Sequence, residues 1–301
     1  MTETYSEYTT QTEQIDQDFL QTKWWILLNC PQTSKKWLNF RRARPTGSVV
    51  GSISGHNNYP DQNPADQLLY MSGQKKKVFS ATSLAHMKRG RDLEDGVRMK
   101  YMQANGFIAI EIGLALATWD TRLGASVDGV VISPQRLDLV DNTTPWQQSP
   151  KIVDSNTTGM AQITYWAEGI LEIKCPARMY NQLLENYHAQ ITGKYQLPTT
   201  NQINQDSDIW NHHYRHVVQT YFDQMQQGMA ILRKPWCDYV VYSDGQMIIN
   251  RIPYCHAYYV KQLLNPVQEF LDQRLDPILP SGYRVQLPKC RMIGVEFLKT
   301  D

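Results

Sequence analysis

The chain has 301 residues, 42% hydrophobic and 20% charged, with enough apolar content for a packed core and too little net charge for a disordered tail protein. Basic residues number 30 and acidic residues 29, so the net charge of +1 excludes a globally basic nucleic-acid coat protein and leaves only local basic patches. No apolar run approaches the ~20 residues of a membrane-spanning helix, so no membrane partner is expected.

The first twenty residues are polar and acidic, without a secretory pattern. They predict a frayed start leading into a helix near Ile15–Leu28. The 5 cysteines are odd in number and form no Cys-x-x-Cys pair. An intracellular, soluble, reduced protein is expected. Residues 35–44 read KKWLNFRRAR, with five basic side chains, no acidic one, and interleaved aromatics. The stretch Ser48–Gly73 reads as loop, and the basic run Lys75–Lys77 follows it, a candidate for nucleic-acid contact for which a solvated surface is slightly favoured.

Residues 84–104 predict a helix, ended by Gly106. Phe107–Thr118 and Ala125–Ser133 predict strands, and Gly169–Cys175 a third. Residues 134–168 between them read as an inserted arm or long hairpin. Residues 211–232 predict a long helix. Asp244-Gly245 between apolar runs predicts a hairpin. A last amphipathic helix covers about 256–275, where Pro266 should kink or break it. There is no internal repeat and no linker with a composition break. One domain over 1–301 is therefore expected, with an N-terminal extension (1–30), the 134–168 insertion, and a C-terminal helix and tail (255–301).

The chemistry concentrates in Leu171-Glu172-Ile173-Lys174-Cys175-Pro176. On a strand, Glu172 and Lys174 share one face while Ile173 turns into the core. The preceding strand carries Val127-Asp128-Gly129. An aspartate in an apolar strand is costly unless paired or bound to a cation. Asp128 beside Glu172 would join two carboxylates, which repel unless a divalent ion holds them. Oxygen donors of this kind suit Mg²⁺ or Mn²⁺. An aspartate, a long gap and Glu-x-Lys form the signature of the PD-(D/E)xK phosphodiesterases. The trio His212, His213 and His216 has helical spacing, but no cysteine or carboxylate completes a zinc set beside it, and Cys175 reads as apolar filling.

Further blocks follow in order: Trp37-Leu38-Asn39-Phe40-Arg41, Thr46-Gly47-Ser48, Gly90-Arg91-Asp92-Leu93-Glu94, Ser126-Val127-Asp128-Gly129, the Glu172–Lys174 motif, and Tyr221-Phe222-Asp223-Gln224-Met225-Gln226. Over residues 37–245 the chain resembles the lambda-exonuclease-type nucleases (YqaJ-like viral recombinases), and more loosely the alkaline nucleases of large DNA viruses. The resemblance implies an α/β fold with a restriction-endonuclease-like core, a mixed central β-sheet flanked by helices, and inserted loops or arms. It implies Asp128, Glu172, the Ile173 carbonyl and Glu94 as metal ligands, with Lys174 positioning or activating water and Gln224 and Tyr221 facing the site. Arg41, Ser48 and Ser126, with Thr46 of the same turn, would hold a terminal 5′-phosphate. Arg42, Arg44 and Lys36 join them as DNA-binding residues.

The implied activity is a Mg²⁺-dependent 5′→3′ exonuclease on double-stranded DNA, with Mn²⁺ as substitute. Its partners would be duplex DNA ends and a single-strand annealing protein. An endonuclease or RNA-degrading nuclease of the same superfamily is one alternative, and a catalytically silent nucleic-acid-binding module another. The chain also departs from the pattern. Thr-Gly-Ser replaces Thr-Ala-Ser, and His56-Asn57-Asn58 stands where the phage enzyme's pattern has a second arginine. Longer stretches separate Asp128 from Glu172 and precede the long helix at about 187–210. The family's trimeric ring therefore does not carry over, and the oligomeric state stays open.

Overall fold

The computed structural model describes residues 16–57, 61–133, 164, 166–192 and 197–292. The N-terminal extension before residue 16, and the 134–168 arm apart from its last residues, lie outside them.

Two five-stranded mixed sheets organise the chain. The first contains β1 (Phe19–Gln21), β2 (Trp25–Leu28), β4 (Leu114–Ala117), β5 (Gly124–Ala125) and β10 (Arg291–Met292), in the order β10-β1-β2-β4-β5. The second contains β3 (Ile108–Ile110), β6 (Gly129–Ile132), β7 (Gly169–Lys174), β8 (Trp236–Ser243) and β9 (Gln246–Pro253), in the order β3-β6-β7-β8-β9. In this sheet β7 and β8 run parallel and the other neighbours antiparallel. The helices are α1 (Lys35–Arg41), α2 (Gly47–Ile53), α3 (Pro64–Met71), α4 (Ala81–Asn105), α5 (Asn181–Ile191), α6 (Thr200–Gln205), α7 (Ile209–His213), α8 (Gln219–Leu232) and a last run α9 (residues 256–278). One apolar cluster joins Trp25 and Ala115 of the first sheet, Phe222, Met225 and Met229 of α8, and Ile170 and Tyr239 of the second sheet.

Several elements differ from the sequence reading, each for a physical reason. The segment expected as a helix before Leu28 is the β1–β2 hairpin. Both faces of β2 are buried: Trp25 and Leu27 in one cluster, Ile26 and Leu28 in another. A strand buried on both faces is a continuous apolar run, which periodicity cannot separate from a buried helix. The expected strands 107–118 and 125–133 each divide between the two sheets. Gly113 marks the first crossing: a Cβ there would lie 2.1 Å from the Leu28 carbonyl oxygen. The second crossing is Ser126-Val127-Asp128. The Gln32 side-chain amide clamps both, donating to the Ile112 and Val127 carbonyls at 3.1 Å each.

The supposed loop 48–73 contains α2 and α3. Its glycines serve close packing rather than turns. A Cβ on Gly47 would lie 2.8 Å from Gln224 Cγ, and one on Gly51 2.4 Å from Asp223 Oδ2, so α2 lies against α8 as only glycine allows. The expected helix 211–232 is α7 and α8 with 214–218 between them. Helix α4 ends as expected at Gly106, in the left-handed conformation (φ 71°). The Asp244-Gly245 hairpin turn has φ 49° and 83°, as a type I′ turn requires. α9 continues through Pro266 without breaking. Widened turns at Tyr259–Leu264 and Phe270–Leu275 let Asn265 N–H reach the Val260 carbonyl, relieving the crowding a proline ring would cause in a regular turn.

Gly51→Ala should lower stability by about 1–3 kcal/mol, as overpacking does. The methyl would press on a carboxylate that His56 and Tyr258 already fix. The urea midpoint measures this, and a wild-type midpoint would refute the packing argument.

Candidate active site

Strand β7 presents Glu172 and Lys174 on one face, as alternation requires, and they form an ion pair. Ile173 points the other way, into a separate apolar cluster. The antiparallel register Gly129↔Leu171, continued by one step, sets Asp128 opposite Glu172. Asp128 Oδ2 accepts the Ile173 N–H at 2.7 Å. From α8, Gln224 Oε1 lies 3.5 Å from Lys174 Nζ, and the Tyr221 ring centroid 4.8 Å from it. From α4, Glu94 lines the same open cleft of about 620 Å³ as Asp128, Ile173, Lys174 and Tyr221.

Arg98, one turn beyond Glu94, was not marked by the sequence reading. It is fully buried at 0% exposure. Its guanidinium donates to Glu94 Oε1 at 2.7 Å, Asp95 Oδ1 at 2.9 Å and the Asp128 carbonyl at 2.9 Å. Glu111 Oε2 stands 3.9 Å away. The E-x-x-x-R spacing reads in sequence as an ordinary surface pair on a helix. Only the burial of α4 against β3 and β7 turns it into a brace joining Glu94 to the Asp128 backbone.

Burial, the Asp128 charge and further carboxylates nearby outweigh Arg98 and lift the Glu94 carboxyl to about 7. Burial, then Asp128, also pushes Glu172 upward, with Lys174 opposing. Burial works against the Lys174 ammonium, but Glu172 and Asp128 raise its pKa, so it is a cation at neutral pH. Desolvation, then the Glu94 and Asp128 charges, push the Cys175 thiol to about 11, which rules it out as a thiolate nucleophile at neutral pH.

The three carboxylates are hard oxygen donors, and their mutual repulsion is what a divalent cation relieves. In donor chemistry and charge the site fits such an ion. Among the described residues, no three His, Cys, Asp or Glu side chains are gathered closely enough to enclose one as they stand. Lys174 holds Glu172, and Arg98 holds Glu94.

A second group adjoins this one. Arg41 donates to Thr46 Oγ1 at 3.0 Å and to Ser48 Oγ at 2.5 Å, and it stacks 4.6 Å from the Trp37 ring centroid. Trp37 Nε1 donates to Ser126 Oγ at 2.9 Å. Gly124 N–H donates to the Pro45 carbonyl at 3.0 Å, tying this turn to the segment that leads to Asp128. Burial lowers Arg41 to about 10, and among the described residues no carboxylate pairs with it. Arg41, Thr46, Ser48 and Ser126 thus form one cluster around a cation without an acid.

The remaining basic candidates separate. Arg42 is exposed, bonded to Asn39 and lying 5.5 Å from the Tyr283 ring centroid. Arg44 is corrected: it is 4% exposed and donates to the Thr121, Phe40 and Val285 carbonyls, so its guanidinium braces the fold. Lys36 is corrected too, since Asp16 (2.8 Å) and Asp18 (2.6 Å) neutralise it. His56, in the departure from the family pattern, turns to Asp223 on α8 with Nδ1 3.0 Å from Oδ2. His212 pairs with Asp206 at 2.7 Å and His216 lies 2.7 Å from the Asn250 amide, so the trio is divided among separate partners.

A family model described as the YqaJ-like viral recombinase domain matches residues 36–232. The crystal structure of LHK-Exo in complex with dAMP has a similar fold, with a TM-score of 0.50 and 22% identity over 81% of this chain and 94% of that one. The structure of the alkaline exonuclease LHK-Exo from Laribacter hongkongensis gives 0.49 and 22% over the same shares, 81% and 94%. No curated protein matches. The mixed α/β architecture expected from the sequence is thus the alkaline-exonuclease fold, with two mixed sheets in place of one central sheet.

Arg98→Met should cost about 3–5 kcal/mol, as removing one partner of a buried ion pair does; a urea titration measures it. A Glu94 carboxyl at about 7 holds a proton in the folded state that the unfolded chain releases near its ordinary 4.5. Its contribution is therefore present below that lower value and lost as pH rises through 7. In chelator, wild-type stability should fall from pH 5 to pH 8 more than that of Glu94→Gln. Parallel profiles would contradict the shift.

Proposed function

The chain belongs to the YqaJ-like viral recombinase domain family, and from that premise we propose that it is a Mg²⁺-dependent exonuclease acting 5′→3′ on double-stranded DNA. The product would be a 3′ single-stranded end for recombination or viral DNA processing, taken up by a single-strand annealing partner. One observation carries this reading: Glu172 and Lys174 share a face of β7, Asp128 stands beside them, and Gln224 and Tyr221 close over the lysine from α8.

Asp128, Glu172, Glu94 and the Ile173 carbonyl would hold Mg²⁺, with Mn²⁺ as substitute, which supplies a water acidified toward neutral pH and charge stabilisation at the phosphoryl oxygens. The chain's own groups do the rest. Lys174 is a cation, so it acts as a hydrogen-bond donor that orients the attacking water and offsets charge at the scissile phosphate. Glu172 and Gln224 fix its ammonium. Arg98 braces Glu94 against the Asp128 backbone. Arg41 offers the terminal 5′-phosphate a planar donor fork, with the Ser48 and Ser126 hydroxyls beside it. LHK-Exo was crystallised with dAMP, a nucleoside monophosphate, the class of product this reaction releases.

Lys174→Ala should reduce cleavage of linear duplex DNA by at least about 10²-fold, the usual scale for one positioned donor, while binding persists. Arg41→Ala should erase the preference for 5′-phosphorylated over 5′-hydroxyl ends. A closed circle cut as fast as linear duplex would replace the exonuclease reading with an endonuclease. Faster cleavage of RNA would point to an RNA-degrading enzyme. Binding without cleavage in Mg²⁺ would leave a silent binding module.

A further inference from the structure

Beside the catalytic cleft lies a larger cavity of about 960 Å³. Six cations line it: Arg41, Arg42, Arg44, Lys75, Lys76 and Lys77. No acidic residue is among its lining. Met87 borders both this cavity and the cleft, so the two open side by side.

The three lysines have different tasks. Lys75 is held by Asp66 at 3.3 Å and lies 3.6 Å from Asp61, and its backbone N–H donates to the Leu69 carbonyl. It pins the turn after α3 and is already neutralised. Lys77 Nζ lies 5.1 Å from the Tyr70 ring centroid, sharing that ring with Lys75 at 5.3 Å. Among the described residues, neither Lys76 nor Lys77 forms an ion pair. Gln67 of α3 is 1% exposed at this cavity, and its Oε1 has no hydrogen-bond partner among the described residues. A bound water or a sugar hydroxyl beside a phosphate would satisfy that acceptor.

With Lys75 neutralised, the turn at 75–77 contributes Lys76 and Lys77 to the cavity that Arg41 also lines. Desolvation of its stem in the cavity pushes the Lys77 ammonium downward, and the Arg41 charge adds a smaller push the same way. An incoming anion removes that cost.

We propose that this cavity is a second phosphate subsite, in which Lys76 and Lys77 receive the backbone phosphate next to the terminal one held at Arg41. The assignment of the ligand as a DNA strand rests on the exonuclease reading. The subsite is electrostatic and indifferent to base sequence, as phosphate contacts are. It grips the strand whatever the chemistry of its end.

The test is fluorescence anisotropy of a labelled linear duplex with the full chain in chelator, across 50–200 mM salt. Lys76→Ala/Lys77→Ala should weaken binding and flatten the slope of log K against log salt by about 1, for the one backbone phosphate no longer neutralised. The loss should be equal for 5′-phosphorylated and 5′-hydroxyl ends, whereas Arg41→Ala affects only the former. Both lysines are exposed, so thermal melts should match wild type. The charge-reversed pair K76E/K77E should bind more weakly still. An unchanged slope in both variants, or a loss confined to the 5′-phosphorylated end, overturns the subsite. Wild-type protein that binds but never cleaves would remove the exonuclease reading and leave the subsite standing. Cleaving wild type with unaltered binding in the lysine variants would do the reverse.

Discussion

Burying a carboxylate on a central strand is the constraint from which the rest of this site follows. Glu172 is 2% exposed, and an isolated ionised carboxylate there would be prohibitively costly. Lys174 answers it along the strand, yet Asp128 across the register and Glu94 from α4 add negative charge rather than remove it. A buried ion pair contributes little net stability against a well-packed apolar pair of similar volume. Stability alone therefore does not account for three carboxylates, a half-buried lysine and a buried arginine meeting at one end of β7. The function proposed above would account for them: it needs dense negative charge, held in place by cations that can reorganise around an incoming ion and phosphate.

The fold sets the spacing between that centre and the Arg41 cluster. The chain crosses from one sheet to the other at Ser126-Val127-Asp128, so one short segment carries the Ser126 hydroxyl toward Trp37 and the Asp128 carboxylate toward β7. Gly124 is tied to the 45–46 turn by its N–H and a parallel bridge. Four residues of extended chain reach at most ~14 Å, so Asp128 is held within that distance of Gly124, to which the 45–46 turn is bridged. The other side is set by Gly47 and Gly51, which bring α2 against α8. Helix α8 in turn supplies Gln224 and Tyr221. Sites supported on packed elements of this kind keep their geometry better than sites on free loops.

Features governed by local rules were legible in the sequence: helix α4 with its glycine stop, the Asp-Gly hairpin, and the shared face of Glu172 and Lys174. So was the approach of Asp128 to Glu172, because strand alternation and antiparallel pairing leave few other arrangements. What depended on tertiary context was not. The run at Trp25–Leu28 is apolar all round because both faces of β2 are covered, and it imitated a helix. The glycines and serines of 47–55 imitated a loop while permitting a close helix contact. Strands at 107–118 and 125–133 hid their crossings between sheets, since nothing in an apolar run says which sheet it serves. Arg98 was invisible for the same reason: a Glu-x-x-x-Arg pair looks alike on a solvated and on a buried helix face.

The basic residues carry this argument furthest. The run KKWLNFRRAR looks like one patch, yet its side chains meet four different fates. Lys36 is neutralised by Asp16 and Asp18, and Arg44 is consumed by three carbonyls. Arg42 rests over Tyr283, while Arg41 faces hydroxyls and an indole. Coulomb attraction toward a phosphate survives only where a cation has no acid of its own to satisfy. Net charge is therefore uninformative for a chain at +1, and so is the density of basic residues in the sequence. The informative quantity is the local imbalance left after each cation has met its neighbours, and here that imbalance lies along a single path from the β7 carboxylates past Arg41.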